Sequence, residues 1–311
     1  MAQATLGAPP VQQRRNQFAD FFRRLVRTKP LGTVSAVIVL VFFFVGVFAN
    51  FIAPHGYNDQ KIRNEDGTTT RFERLASPSF NHFLGTDSIG RDMFSRIIYG
   101  ARISMLVGVV GSITSLIVSC LIGIPSGYFG GKFDLVVQRF IDAWLVFPDL
   151  ILLILLVALT GPSLWNIVFI LGLQYGLGGS RSVRGAVIGI RQNAYIEASQ
   201  AVGVATPRIL LRHVLPNVAP FLLVLVTTRM PGMMLAESGL SFLGLGVPPP
   251  APSWGGMLSS AAMSYMLRAP LLAVWPGLAL SVVVYSTNMF GDALRDLLDP
   301  RLRGAAGGSR Y

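Results

Sequence analysis

The sequence predicts an all-α polytopic membrane protein with six transmembrane helices and both termini cytoplasmic. Three observations carry that expectation. Of 311 residues, 52% are hydrophobic and 13% are charged, and the mean hydropathy is +0.55, a balance that suits a bilayer rather than a soluble domain. Apolar runs recur that are long enough to cross the hydrocarbon core, which takes about 20 helical residues. Several connections are short and built on Gly or Pro, as at Gly130-Gly131-Lys132 and Gly161-Pro162, so neighbouring passes run antiparallel.

Residues 1–30 form a polar cytoplasmic segment with Arg14, Arg15, Arg23, Arg24, Arg27 and Lys29, suited to an amphipathic helix on the membrane surface. The first span covers 31–53. A cleaved signal would have a shorter apolar core and a small-residue cleavage site, so this run is read as a retained helix. An extracytoplasmic loop follows to residue 103, and its stretch 58–79 reads as a short hairpin or helix. The core domain, 104–294, holds spans at 104–127, 135–160, 162–180, 217–246 and 272–294, and residues 295–311 form a cytoplasmic tail. Gly123, Pro125, Pro148, Pro231 and Pro276 fall inside spans, where neighbouring helices satisfy the freed backbone groups.

Basic residues in short loops set the orientation. Six precede the first span; Lys132, five residues from Arg181 to Arg212, and four from Arg295 onward fall on the same side. The opposite side receives none at 161–162 and only Arg268 between the last two spans. The long loop carries seven, but six acidic residues accompany them, and long segments count for little.

Charges within spans are functional candidates because they are costly there. Arg229 and Glu237 lie eight apart on the fifth span, hence on one face. They either line a path for a charged substrate, or Arg229 pairs with a partner subunit or backbone carbonyls while Glu237 caps the outer end. Arg139 and Asp142, three apart, form a local ion pair. Asp149 follows a Phe-Pro kink. Asp87, Arg91, Asp92 and Arg96 could suggest an acid cluster, but a loop-to-helix cap with local ion pairs accounts for them.

Between the fourth and fifth spans lies a polar loop, 181–216, containing EASQAVGVATPRILLRHVLP at Glu197–Pro216. Ala198, Ser199 and Ala201 keep one side of a first helix low and flat. Gly203 supplies the turn. Thr206 is suited to cap a second helix, with Pro207 in its first turn, and Arg208 and Arg212 share a face.

The order Glu197-Ala198-Ser199, Gly203, Leu215-Pro216 is similar to the EAA loop of ABC-importer permeases. Ser199 departs from the second Ala, and His213 stands where an aliphatic residue is common. Arg212 to Asn217 resembles the dipeptide, oligopeptide and nickel branch. LGTDSIGRDMFSRIIYGARIS, residues 84–104, resembles the signature before the second helix of its C-type permease subunits. ESGLSFLGLGVPPPAPSWGGML, Glu237–Leu258, resembles that family's re-entrant region at the outer mouth. Physically, Gly239, Gly244 and Gly246 permit close helix contact, Pro248-Pro249-Pro250 stop the helix, and Trp254 suits an interface anchor. The resemblance spans roughly residues 30–300.

It implies an ABC type I importer permease fold, and half of a pore in a bacterial or archaeal cytoplasmic (inner) membrane. It further implies a second homologous permease subunit, two ABC ATPase subunits that bind the ATP, and an extracytoplasmic substrate-binding protein. Glu197, Ala198, Ser199, Gly203, Arg208 and Arg212 are then the ATPase-coupling residues, and Arg229 and Glu237 the translocation-path candidates. The substrate class it implies is di- or oligopeptides or related nickel chelates.

Other classes find little support. The net charge of +11 comes from scattered Arg without interleaved aromatics, so nucleic acid is not indicated. The only Gly-Lys pair is Gly131-Lys132, followed by Phe133, so no Walker A loop exists and no cofactor is expected in this chain. HExxH and GxSxG are absent, and His55, His82 and His213 are scattered, which leaves neither a metal nor a catalytic set. The single Cys120 precludes an intrachain disulfide. A stand-alone secondary carrier or channel is the alternative, although no inverted repeat is visible.

Overall fold

The computed structural model describes residues 23, 25–63, 69–71, 74–259 and 265–298. The expected surface segment up to residue 22, with Arg24, and the tail beyond residue 298 lie outside the described residues. Among the described residues the regular structure is helical apart from one antiparallel hairpin, β1 (Lys61–Arg63) with β2 (Thr69–Arg71), within the stretch expected to hold a hairpin or helix.

Helix α1 (Pro30–Val47) is followed by the short α2 (Ala49–Ile52). Helix α3 (Met93–Phe129) is 37 residues long, or about 55 Å at 1.5 Å per residue. It begins eleven residues before the expected span because Asp92 caps it: the carboxylate accepts the Ser95 amide at 2.8 Å. Gly130 and Gly131, with φ of +65° and +59°, turn the chain into α4 (Gly131–Leu145), and α5 (Asp149–Thr160) follows.

The expected single span at 135–160 is instead this pair, meeting at 88°. Pro148 is the cause: it cannot supply an amide to continue α4, and the preceding residue is pushed from helical conformation. Gln174 holds the bend by donating to the Asp149 carbonyl at 2.9 Å.

Helix α6 (Leu164–Arg191) extends well beyond the expected 180. Two short helices, α7 (Ala194–Ala201) and α8 (Thr206–Ile209), and a π-helical turn at Leu210–Val214 lead into α9 (Leu215–Phe242). Helix α9 ends before the three prolines. Leu243 is its cap and Gly244, at φ +83°, reverses the chain, so a left-handed glycine stops the helix. The short α10 (Trp254–Met257) and the last described helix α11 (Leu271–Leu298) follow.

Among the described residues, four helices are long and apolar enough to cross a membrane: α1, α3, the unit Thr206–Phe242, and α11; the bent pair α4–α5 makes up to five. Helix α6 carries Asn166, Gln174, Arg181 and Arg184 and falls outside that set, yet it makes the most extensive contact in the chain, with α3. Small residues allow this approach. A Cβ at Gly172 or Gly176 would come within 2.6 Å of Thr114 or Val118, and one at Gly123 within 2.5 Å of the Ser180 carbonyl. Ser119 donates across to the Gly176 carbonyl at 2.9 Å. Helix α9 packs on α3 and α11, and α1 packs on both as well.

Candidate functional site

The loop between α6 and α9 is rooted in one apolar cluster. Ile196, Ile209 and Val214, exposed by at most 1%, pack with Ile124, Tyr128, Val183, Val187, Val218 and Leu222. The three loop anchors thus meet the ends of α3 and α6. Gln200 donates to the Tyr128 hydroxyl at 2.9 Å, and Arg191 lies over the Tyr128 ring at 5.9 Å. The loop is thereby fixed to the helices beneath it.

Its outer face is open. Glu197, Ala198, Ala201 and Gly203 are exposed, with Ser199 half-buried. The Ser199 hydroxyl turns back to the Tyr195 carbonyl at 2.7 Å, so the flat side expected of small residues is kept. Gly203 has φ +78° and open space where a Cβ would stand. Its amide bonds to the Gln200 carbonyl at 2.9 Å, and the Val204 amide bonds to the Ser199 carbonyl at 3.1 Å. This closes α7 by the left-handed glycine device.

Arg208 and Arg212 are exposed on one side and, among the described residues, neither forms an ion pair. Beside the loop runs a groove of about 420 Å³ whose lining includes Gly130, Asp134, Arg191 and Glu197.

One expectation here is corrected. Thr206 does not cap α8: Ala205 is the cap, without a side-chain hydrogen bond, and Thr206 and Pro207 open the helix. A capping residue must be extended, and Ala205, at φ −59° and ψ 135°, takes that conformation. Exposed apolar residues are part of the face and were not singled out from the sequence. Tyr195 is 42% exposed, Leu211 65% and Val202 84%. Val202 alone carried a signal, an apolar residue at a polar turn; Tyr195 and Leu211 lie within helical segments.

Arg229 and Glu237 share α9 but not a surface. Arg229 is half-buried, its guanidinium 5.6 Å from the Tyr175 ring centre. Glu237 is 0% exposed; Ser241 donates to Oε1 at 2.6 Å and Ser238 lies 3.4 Å from Oε2. It faces the α10 segment, where Gly255 packs so closely that a Cβ would stand 2.1 Å from the Ser238 carbonyl oxygen. Trp254 is likewise no interface anchor. It is 2% exposed, donates through Nε1 to the Ile97 carbonyl at 3.1 Å, and lies 6.0 Å from Phe42. Of the glycines expected to permit close helix contact, Gly239 and Gly244 make none and Gly246 does, as does Gly255.

At the start of α3, the ion-pair reading of the charged signature holds. Asp87 accepts the Arg91 and Ile89 amides at 2.9 and 3.0 Å and Arg91 Nε at 2.6 Å, with Arg96 at 3.7 Å. Asp142 pairs with Arg139 at 3.5 Å, as expected, and also with Arg181 of α6.

The sequence profile described as "binding-protein-dependent transport system inner membrane component" matches residues 119–304, and that of the "N-terminal TM domain of oligopeptide transport permease C" matches 16–78. The chain is 35% identical over 305 residues to the glutathione transport system permease protein GsiD of Escherichia coli O6:K15:H31 (strain 536), covering 97% of each. It is 36% identical over 284 residues to the dipeptide transport system permease protein DppC of Alkalihalophilus pseudofirmus, covering 91% of this chain and 90% of the relative. Among solved structures, a chain of the MetNI methionine ABC transporter superposes with a TM-score of 0.54 at 18% identity, over 66% of this chain and 97% of that one, which shows a shared fold. With the loop, the buried signature and these relatives together, the chain belongs to the binding-protein-dependent transport system inner membrane components, as an inner-membrane permease subunit of an ABC importer.

Proposed function

We propose that this chain forms half of a pore for peptide-like substrates, coupled to two ATPase subunits through the loop at Glu197–Pro216. A second, related permease chain supplies the other half, and an extracytoplasmic binding protein delivers the substrate. The observation that carries the reading is the combination of a buried root, Ile196, Ile209 and Val214, with an open face at Glu197, Ala198, Val202, Arg208 and Arg212. Such an element is firm on the membrane side and unpartnered on the other. Arg208 and Arg212 offer cations to acidic groups of the ATPase.

The topology has six spans, with α4–α5 as one broken span and α6 as another, its polar residues turned to protein. Both termini face the cytoplasm; in support, Lys29 at the start of α1 and Asp296 near the end of α11 pair at 2.6 Å, so those helix ends share a side. The relatives named for glutathione and dipeptides support peptide-like cargo. Arg229 remains the candidate for the translocation path, while Glu237 serves to hold the re-entrant segment.

Function follows as alternating access. Closure of the ATPases on ATP draws the two loops together, the rigid root carries that motion into α3, α6 and α9, and hydrolysis resets them.

Co-purification from native membranes in mild detergent, with an ATPase assay, tests the assembly. A second permease and ATP-hydrolysing subunits are expected to co-elute, and the ATP-hydrolysing subunits are expected to be lost when Glu197 and Gly203 are mutated together. Glu197→Lys is expected to uncouple hydrolysis from uptake while the protein stays in the membrane. Normal transport by that variant sinks the coupling assignment, and solute movement by the isolated chain under an ion gradient supports a secondary carrier instead.

A further inference from the structure

Two histidines far apart in sequence meet at the start of α3. His55 follows the end of α2, His82 lies in the loop before the charged signature, and Asp92 caps α3. One ligand atom from each falls within 4.8 Å of the other two. His82 and Asp92 are buried, at 7% and 1% exposure, and His55 is half-buried. The rings of His55 and His82 are 5.4 Å apart. His82 Nδ1 and Asp92 Oδ1 are separated by 2.9 Å. The backbone is fixed around them: the His55 amide donates to Ser95 Oγ at 3.1 Å, and the His82 amide bonds to the Ser79 carbonyl at 3.2 Å.

From this geometry we infer that His55, His82 and Asp92 form a binding site for a divalent transition-metal ion of the zinc class, in the loop that joins the first span to α3.

Two imidazole nitrogens and one carboxylate oxygen are the donors that zinc takes, at about 2.0–2.2 Å each, with water in the fourth position. Such ligand atoms stand about 3.3 Å apart around a tetrahedral ion. The His82–Asp92 pair therefore opens by roughly 0.4 Å and His55 closes by a side-chain adjustment. Asp92 can serve both roles, since Oδ2 holds the Ser95 amide while Oδ1 faces the histidine.

Local charge also permits a cation. The neighbouring Arg91 is paired with Asp87, and Arg96 lies beside the same carboxylate, so neither guanidinium claims Asp92. The ion would tie the end of the first span, the loop and the start of α3 at one point. The inference goes beyond the permease reading and does not depend on it.

The test uses the full chain in detergent, purified without a histidine tag, stripped with a chelator and titrated with zinc against a chromophoric competitor. One zinc per chain is expected, and cobalt in its place is expected to give the absorption of a tetrahedral site. His55→Ala keeps the Asp92–His82 contact and the helix cap, and is expected to weaken zinc binding by more than about 100-fold, beyond what loss of an outer-shell partner does. Asp92→Asn, which retains an oxygen to cap α3, is expected to do the same with unchanged helicity by circular dichroism. No stoichiometric zinc at micromolar concentration overturns the inference. So does wild-type affinity in His55→Ala, which would mark the bound metal as adventitious.

Discussion

Asp134 and Arg184 form a two-point ion pair, with Arg184 Nε and Nη2 at 2.6 and 2.5 Å from the two oxygens of Asp134. Ser126, near the end of α3, also donates to Asp134. The first turn of α4 is thereby fastened to both α3 and α6. Farther along α4, Asp142 meets Arg181, so charge pairs lay this helix along α6 while Phe133, Leu135, Val136 and Phe140 remain exposed.

The two pairs differ in enclosure, and that difference decides their worth. Side-chain exposure is 32% and 13% for Arg184 and Asp134, against 42% and 46% for Arg181 and Asp142. Arg184→Ala is expected to lower stability in detergent by about 1–2 kcal/mol, as for charged hydrogen bonds that are partly shielded. Arg181→Ala is expected to cost less than about 1 kcal/mol. Denaturant unfolding followed by tryptophan fluorescence separates them, and equal losses would show that enclosure is not what matters.

At Gly203 the strain is purely backbone, because φ is +78° and a Cβ would meet nothing within 4 Å. Gly203→Val is expected to cost about 1–2 kcal/mol locally and to lower uptake per ATP hydrolysed. Gly203→Asn, which tolerates the left-handed region, is expected to retain more coupling. Both variants are expected to accumulate in the membrane at wild-type levels, checked by immunoblot of membrane fractions. Equal uptake in the two would remove the turn from the coupling argument.

Glu237 separates an anchoring role from a path-lining one. It has no exposed surface and is bonded to Ser241, so Glu237→Ala leaves buried hydroxyls unpaired at a cost of about 1–3 kcal/mol. Glu237→Gln keeps an acceptor and is expected to preserve both stability and substrate preference. A change in preference between acidic and basic peptides in Glu237→Gln, at unchanged stability, would restore it to the path.

Much of this was legible in the chain because its signals are local. The apolar runs, the glycine at 203, the cap chemistry around Asp92 and the Phe-Pro-Asp break each act over a few residues. Tertiary placement was not legible. His55 and His82 read as scattered because 27 positions separate them, and only the return of the loop to α3 brings them together. Trp254 read as an anchor because tryptophan favours interfaces; nothing in its neighbourhood announced that Gly100, 154 residues away, leaves it a seat. The 88° bend turned one expected span into two helices: Pro148 marks the place of a break but not its angle, and both helices pack on α6. The Gly123-x₃-Gly127 and Gly172-x₃-Gly176 spacings, by contrast, were present to be read and mark the most extensive helix contact among the described residues.

The seat of Trp254 on α3 gives the last expected outcome. A Cβ at Gly100 would stand 2.7 Å from the indole ring, and the ring is held by its bond to the Ile97 carbonyl at 3.1 Å. Because the obstacle is a large side chain fixed by that bond and by contact with Phe42, it cannot simply swing aside. Gly100→Ala is therefore expected to displace the indole and cost about 1–3 kcal/mol, as for overpacking. Trp254→Ala is expected to cost about 3–5 kcal/mol through lost burial and the cavity left behind. With the indole gone, Gly100→Ala no longer meets an obstacle, so the double variant is expected to be no worse than Trp254→Ala alone. A double-mutant cycle on unfolding in detergent measures that coupling. Simple additivity of the two losses would mean that the re-entrant segment is seated by its Gly255–Ser238 contact and not by tryptophan.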